Sequence, residues 1–352
     1  MSFARIGPER HDSLDGIPEP AEHALLVGHA QQTRLLAEAH RAGRLHHGLL
    51  FCGPAGIGKA TLAFRLALHL LTHPRGAGAP PTLAVPDPAS TAFRLVAQAA
   101  HPSVLHLTRP FDEKTKKFKT VLSVDEVRRV GRFLSMTAHD GGWRVVIVDP
   151  ADDLNTAAAN ALLKNLEEPP PRTVFVLVAH QPGRLLPTIR SRCQSIPFAP
   201  LADAEVVAVF GGLGLSLPAQ AERRETLLRK AAGSVRAAIM LTEYGGLDIA
   251  EAVDGLLAAR RFDATAAARI ADAVAGRDKE QQFGLFTDHL EQVLAGTAAR
   301  LGEKGDAARA ERLATAWSEF GRTTAEAEAY NLDRRQHVAG SLMRAHQALH
   351  AA

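Results

Sequence analysis

Three features of the sequence predict an α/β chain, a doubly wound parallel sheet completed by an all-helical second half. A glycine-rich loop, Gly53-Pro54-Ala55-Gly56-Ile57-Gly58-Lys59, stands between a short apolar run and a helical pattern. Two further runs, WRVVIV at 143–148 and TVFVLVA at 173–179, are almost continuously apolar, as strands buried on both faces of a parallel sheet must be. Beyond Pro200 such runs stop, and apolar residues recur at helical spacing instead.

Taken in order, residues 1–20 are polar and proline-bearing and read as a flexible arm. Leu25, Leu26, Leu35, Leu36 and Ala39 predict an amphipathic helix over 24–42, interrupted early by Val27-Gly28. His47 to Phe51 is a short strand, followed by the glycine loop and a helix over 60–71. The proline- and glycine-dense stretch 73–90 is a surface loop. A strand at 104–107 leads to a charged turn over 112–119. Ser123 and Glu126 then open a helix with a capping-box pattern. The helix that starts near Thr156 stops at Pro169-Pro170-Pro171, where proline removes backbone donors. The expected domains are an arm (1–20), the α/β domain (21–200), a helical lid (201–246) and a helical bundle (247–352), with no internal repeat.

Composition narrows the function classes. The chain has 352 residues, too many for one ordinary core, and is 46% hydrophobic and 22% charged, as a soluble globular protein would be. No apolar run reaches the roughly 18 residues that cross a bilayer, and the first residues lack a signal core, so a cytoplasmic location is expected. The net charge of +3 permits DNA contact as a minor contribution but does not argue for a stand-alone DNA binder. Cys52 and Cys193, the two cysteines, read as buried free thiols, and two cannot form a four-cysteine zinc site.

A glycine loop opening a helix lets backbone amides cradle phosphates. Gly53, Gly56, Gly58 and Lys59 supply that cradle, with Lys59 reaching the outer phosphates. The motif calls for a hydroxyl directly after the lysine, as a magnesium ligand. Here the residue is Ala60, and Thr61 is rotated by about 100° around the helix. Asp149, at the end of a buried strand, suits a magnesium-holding carboxylate. The following position, where hydrolysing enzymes keep a glutamate to orient water, is Pro150. Asp152 and Asp153 are expected to cap the next helix or to face solvent. Two departures weaken one reaction, so the site is expected to bind ATP and magnesium weakly at most, without turnover. No bound metal is expected.

At this point the chain resembles the AAA+ clamp loaders of bacterial DNA polymerase III. Asp149-Pro150-Ala151-Asp152 lies where they carry a DEAD-type motif, and NALLKNLEEPP at 160–170 looks like their next helix. Ser191-Arg192-Cys193 matches their SRC motif, and Gly233-Ser234-Val235-Arg236 resembles their sensor-2 segment. Asn331-Leu332-Asp333-Arg334-Arg335 is similar to the C-terminal signature of their delta-prime branch. The resemblance implies that Arg192 is an arginine finger, inserted into a neighbouring subunit's ATP site, with Arg190 the second candidate. A guanidinium suits that task, being always charged and forked. It also implies that Arg236 is the sensor-2 arginine, that sensor 1 falls near Ala179-His180, and that the last helices form a collar.

The implied partners are the gamma/tau and delta subunits in a hetero-pentamer, with the sliding clamp and primer-template DNA reached through the complex. The lysines at 114, 116, 117 and 119 and the arginines at 128, 129 and 132 are further DNA-facing candidates, a solvated surface being the plainer reading for the lysines. Two readings compete. The first is a largely non-hydrolysing stator; the second is an ATP-hydrolysing AAA+ motor, kept open by Lys59 and Asp149. A small-molecule P-loop kinase fits the SRC motif and the long helical half poorly.

Overall fold

The computed structural model describes residues 4–136, 142–276 and 278–351. It divides into two compact units, Met1–Leu217 with Ala232–Arg236, and Pro218–Ala231 with Ala237–Ala352.

In the first unit, α1 (Ala30–Arg41) precedes β1 (Gly48–Cys52), α2 (Lys59–Thr72), α3 (Thr91–Ala97) and β2 (Val104–Leu107). A small antiparallel hairpin, β3 (Phe111–Asp112) and β4 (Lys117–Phe118), forms the charged turn. There follow α4 (Val124–Ser135), β5 (Arg144–Val148), α5 (Thr156–Glu167), β6 (Thr173–Ala179), α6 (Pro187–Arg190), β7 (Gln194–Pro197) and α7 (Asp203–Leu213). The main sheet is parallel throughout, in the order β2-β5-β6-β1-β7. The strand that feeds the glycine loop is thus separated from the strand that ends at Asp149 by β6. With its loop at the first strand, this parallel sheet flanked by helices is the doubly wound arrangement that the sequence predicts.

Strand alternation builds two cores. Leu49, Phe51, Ile147 and Val176 face Leu62, Leu66 and Leu70 of α2 on one side. Leu50, Val146, Phe175 and Leu177 face Val130 of α4 and Leu162 of α5 on the other. β6 is buried at every residue because helices cover both of its faces.

Some local expectations need correction. The first helix begins at Ala30 rather than 24, because Gly28 and His29 both adopt positive φ, +75° and +56°. At Gly28 a Cβ would press on Leu201, so the chain turns there before helix can start. The capping box at Ser123 does not form: its hydroxyl makes no cap bond, and Glu126 pairs with Arg129 at 2.6 Å instead. Among its described residues the arm carries no regular element, and it is tied down by Glu22, whose carboxylate accepts the amides of Ile6 and Gly7 at 2.7 and 2.8 Å.

The second unit contains α8 (Ala221–Ala231) and most of α9 (Val235–Glu243). A bundle of α10 (Gly246–Ala258), α11 (Ala264–Val274), α12 (Glu280–Glu303), α13 (Ala307–Ala329) and α14 (Arg334–His350) completes it. The apolar stripes legible in the sequence meet inside it: Val253, Leu257, Phe286, Leu290, Phe320 and Leu342 share one core. Phe286 is fully buried there. Phe286→Ala is expected to destabilise this unit by about 3–5 kcal/mol, since the side chain is lost and a cavity remains. Urea unfolding followed by Trp317 fluorescence in a Trp143→Phe background measures it.

Candidate functional site

The glycine loop runs from the end of β1 into α2, and its backbone is set by close neighbours. Gly56 sits at φ +73°, where a Cβ would collide with Arg236 and Ser234. The Gly233–Arg236 segment is laid on this residue: Val235 N–H donates to the Gly56 carbonyl at 2.9 Å, and the Ser234 hydroxyl to the Ala55 carbonyl at 2.9 Å. His29, which no motif singles out, holds the loop from the other side through a 2.6 Å bond between Nε2 and the Ile57 carbonyl.

Lys59 is buried at the start of α2, and its ammonium donates to the carbonyls of Gly53, at 2.6 Å, and Pro54. Burial lowers its pKa to about 8, against the opposing pull of Asp149 and Asp152. Asp149 follows β5 and is pushed up to about 7, first by burial and then by the nearby carboxylate of Asp12. Ala60 presents a methyl group where a magnesium ligand would stand, Thr61 makes no cap bond, and Pro150 offers neither carboxylate nor N–H. Among the described residues, no cluster of three or more His, Cys, Asp or Glu side chains is placed to hold a metal ion.

The sequence reading of Asp152 and Asp153 is corrected. Asp152 accepts the amides of His180 at 2.5 Å and Gln181 at 3.2 Å, tying the β5 end to the β6 end. Asp153 is gripped by Arg109, with bonds of 2.5 and 3.0 Å. The cap of α5 is Asn155, which accepts from Ala158 N–H. His180, at the expected sensor-1 position, is neutral near pH 7, its pKa lowered to about 4 by burial and then by Lys59.

Arg236 turns to the arm. Its guanidinium donates to the Asp12 carbonyl and lies 3.9 Å from the Asp12 carboxylate. His11 beside it meets the Thr108 hydroxyl at 3.3 Å. His11 thus lies beside the residue that follows β2, and Asp12 acts electrostatically on Asp149, which follows β5. Sequence reading missed Asp12, because no spacing rule joins positions this far apart.

Arg192 follows α6 at the sheet edge formed by β7. It is about one-third exposed and pairs with Glu167 at 2.6 Å, and its other nitrogen donates to the Thr188 carbonyl at 3.0 Å. Neither partner belongs to the glycine loop. Arg190 is exposed. Cys52 and Cys193 are free thiols, and burial raises the Cys193 pKa to about 12.

The Asp149 shift has a measurable sign. The folded group keeps its proton to about pH 7, whereas the unfolded group loses it near the ordinary carboxylate value of about 4. Between those values the native state binds more protons, so stability falls as pH rises. Asp149→Asn is expected to remove that slope and to exceed the unmodified chain by a few kcal/mol at pH 8 (roughly, from the size of the shift). Urea midpoints at pH 5 and pH 8 read the difference.

A family model described as "DNA polymerase III, delta subunit" matches residues 28–202. A DNA polymerase III subunit delta' of Pseudomonas aeruginosa is 42% identical over 190 residues, 53% of each chain. The subunit of that name from Escherichia coli is 36% identical over 216 residues, 58% of this chain and 57% of the relative. A DNA polymerase III subunit gamma/tau of Mycobacterium tuberculosis is 33% identical over 187 residues, 51% of this chain and 29% of the relative. The chain thus spans about half the length of the delta' relatives it matches. Among the described residues, no helix is long and apolar enough to cross a membrane.

Proposed function

We propose that this chain, which belongs through residues 28–202 to the DNA polymerase III delta-subunit family, is the delta-prime subunit of a clamp loader and works as its stator. In this reading it binds gamma/tau and delta subunits in a cytoplasmic hetero-pentamer and helps place a sliding clamp on primed DNA. Residues 201–246 serve as the lid and 247–352 as the collar. Arg192 is the finger, offered to a neighbour's ATP site.

One observation carries the reading: the chain's own cradle does not suit Mg-ATP, while its candidate finger points elsewhere. Ala60 and Pro150 lack the two oxygen-bearing groups, Lys59 is held by loop carbonyls, and Asp12 puts a second negative charge near Asp149. A triphosphate entering there would meet like charge instead of metal ligands. Arg192 bonds only to Glu167 and Thr188 among the described residues. The motor alternative is favoured by the retained Lys59 and Asp149 and by the gamma/tau relative alone. Reconstituting the complex with Arg192→Ala separates the two, since a motor would be harmed through Lys59 and a stator through Arg192.

A further inference from the structure

The arm, α2, α3 and β2 of the first unit enclose a cavity of about 220 Å³. It is distinct from the nucleotide cradle: neither Lys59 nor Asp149 nor any glycine of the loop lines it. Phe64, Val96 and Leu105 give it an apolar lining, and Arg10, Glu19, His106 and Arg129 a polar one, with the Phe64 and His106 rings in edge contact at 5.1 Å.

Two polar groups of that lining lack a direct side-chain partner, and one of them is buried. Nε2 of His106 is buried without a hydrogen-bond partner. Arg10 bonds only through its backbone, to Ser13, and its guanidinium has no acceptor among the described residues. A buried polar atom left unmet costs free energy, so the His106 nitrogen calls for a partner. The other charges are already matched: Glu19 faces Arg5 at 3.4 Å and accepts from Ser13, and Arg129 pairs with Glu126 at 2.6 Å. Arg10 feels the carboxylates of Glu19, Asp12 and Asp149 but makes no direct ion pair among the described residues, so its guanidinium is the cation of the lining left to meet a ligand. That balance favours a monoanion, because a second negative charge would face Glu19 with nothing to offset it. The volume lies below the roughly 300 Å³ at which pockets for drug-sized ligands begin, which leaves out a nucleotide.

We propose that this cavity binds a small organic carboxylate, its oxygens between Arg10 and His106 and its apolar body against Phe64, Val96 and Leu105. Burial holds the His106 ring neutral, its pKa lowered to about 3. The ring then has one N–H to give, and Nε2–H donation to a carboxylate oxygen complements the Arg10 fork. Binding would fasten Arg10, two residues before the Asp12 that meets Arg236.

The test uses the full chain with 4-fluorobenzoate as probe, observed by fluorine NMR line broadening, and 4-fluorobenzamide as the neutral isostere. Saturable binding of the carboxylate with Kd about 1 mM or tighter is expected, with the amide weaker by roughly tenfold or more. Arg10→Met should lose a similar factor. Ala21→Met, which fills the cavity from its apolar side and leaves both polar groups in place, should abolish binding, with unchanged circular dichroism in both variants. Lys59→Ala should bind as the unmodified chain does. The proposal is overturned by any of four results: no saturable binding, equal binding of the amide, unmodified affinity in Arg10→Met or Ala21→Met with the fold retained, or loss of binding in Lys59→Ala.

Discussion

Arg192→Ala is expected to slow ATP hydrolysis at the adjoining subunit's site by roughly 10³-fold, while the complex still assembles. The magnitude follows from what a guanidinium does in phosphoryl transfer. Charge accumulates on the transferred group in the transition state, and a preorganised cation stabilises it far more there than in the ground state. The same change should hardly affect this chain's own stability. Arg192 and Glu167 form a partly exposed ion pair, with side chains 36% and 47% exposed, and such pairs contribute about 0–1 kcal/mol. A structural role and a catalytic role are therefore separated by their sizes. Arg192→Lys should recover only part of the loss, because a point charge replaces a fork. Glu167→Gln frees the guanidinium and should leave kcat at least as high. The measurement is single-turnover hydrolysis by the reconstituted complex beside the melting curve of the chain alone. Hydrolysis unchanged by Arg192→Ala would remove the finger from the account.

The parts of this protein that could be read in the letters are those where local pattern and tertiary surroundings agree. β6 was legible because a run of six consecutive apolar residues, Val174 to Ala179, is buried on both faces between two helical layers. The glycine loop was legible because its positive-φ backbone demands glycine at fixed places, as at Gly56 under Arg236. Ala60 and Pro150 could be seen as absences for the same reason. What escaped depends on which of several chemically able partners a side chain selects. Glu126 could have completed the Ser123 cap but pairs with Arg129, and Asp152 could have capped α5 but ties β5 to β6. The meeting of Arg236 with Asp12 spans 224 positions, and nothing in either neighbourhood announces it. Glu167 stood in plain view inside NALLKNLEEPP, yet only folded geometry brings it to Arg192.

That long-range meeting leads to the other large expectation, the silence of the chain's own site. Purified alone, the protein should show no magnesium-dependent ATP turnover above background, several powers of ten below the ~1 s⁻¹ of a working enzyme. Restoring the two oxygen-bearing groups, with Ala60→Thr and Pro150→Glu, should raise Mg-ATP affinity less than chemistry at those positions alone would suggest. Arg236 would still be held by Asp12, and the Asp12 carboxylate would still stand near Asp149. Adding Asp12→Ala removes that charge and the 3.9 Å contact of its carboxylate with the guanidinium. It should bring the Asp149 pKa down from about 7, though burial keeps it above the ordinary carboxylate range. Affinity for a fluorescent ATP analogue should thus rise in order, from the unmodified chain to Asp12→Ala, and from there to the triple variant by at least roughly tenfold. Even the triple variant should hydrolyse slowly, since no neighbour's arginine reaches it and His180 stands uncharged near Lys59. Turnover at motor rates by the unmodified chain would contradict the stator reading. An Asp12→Ala variant with unchanged affinity would show instead that the arm plays no part in keeping nucleotide out.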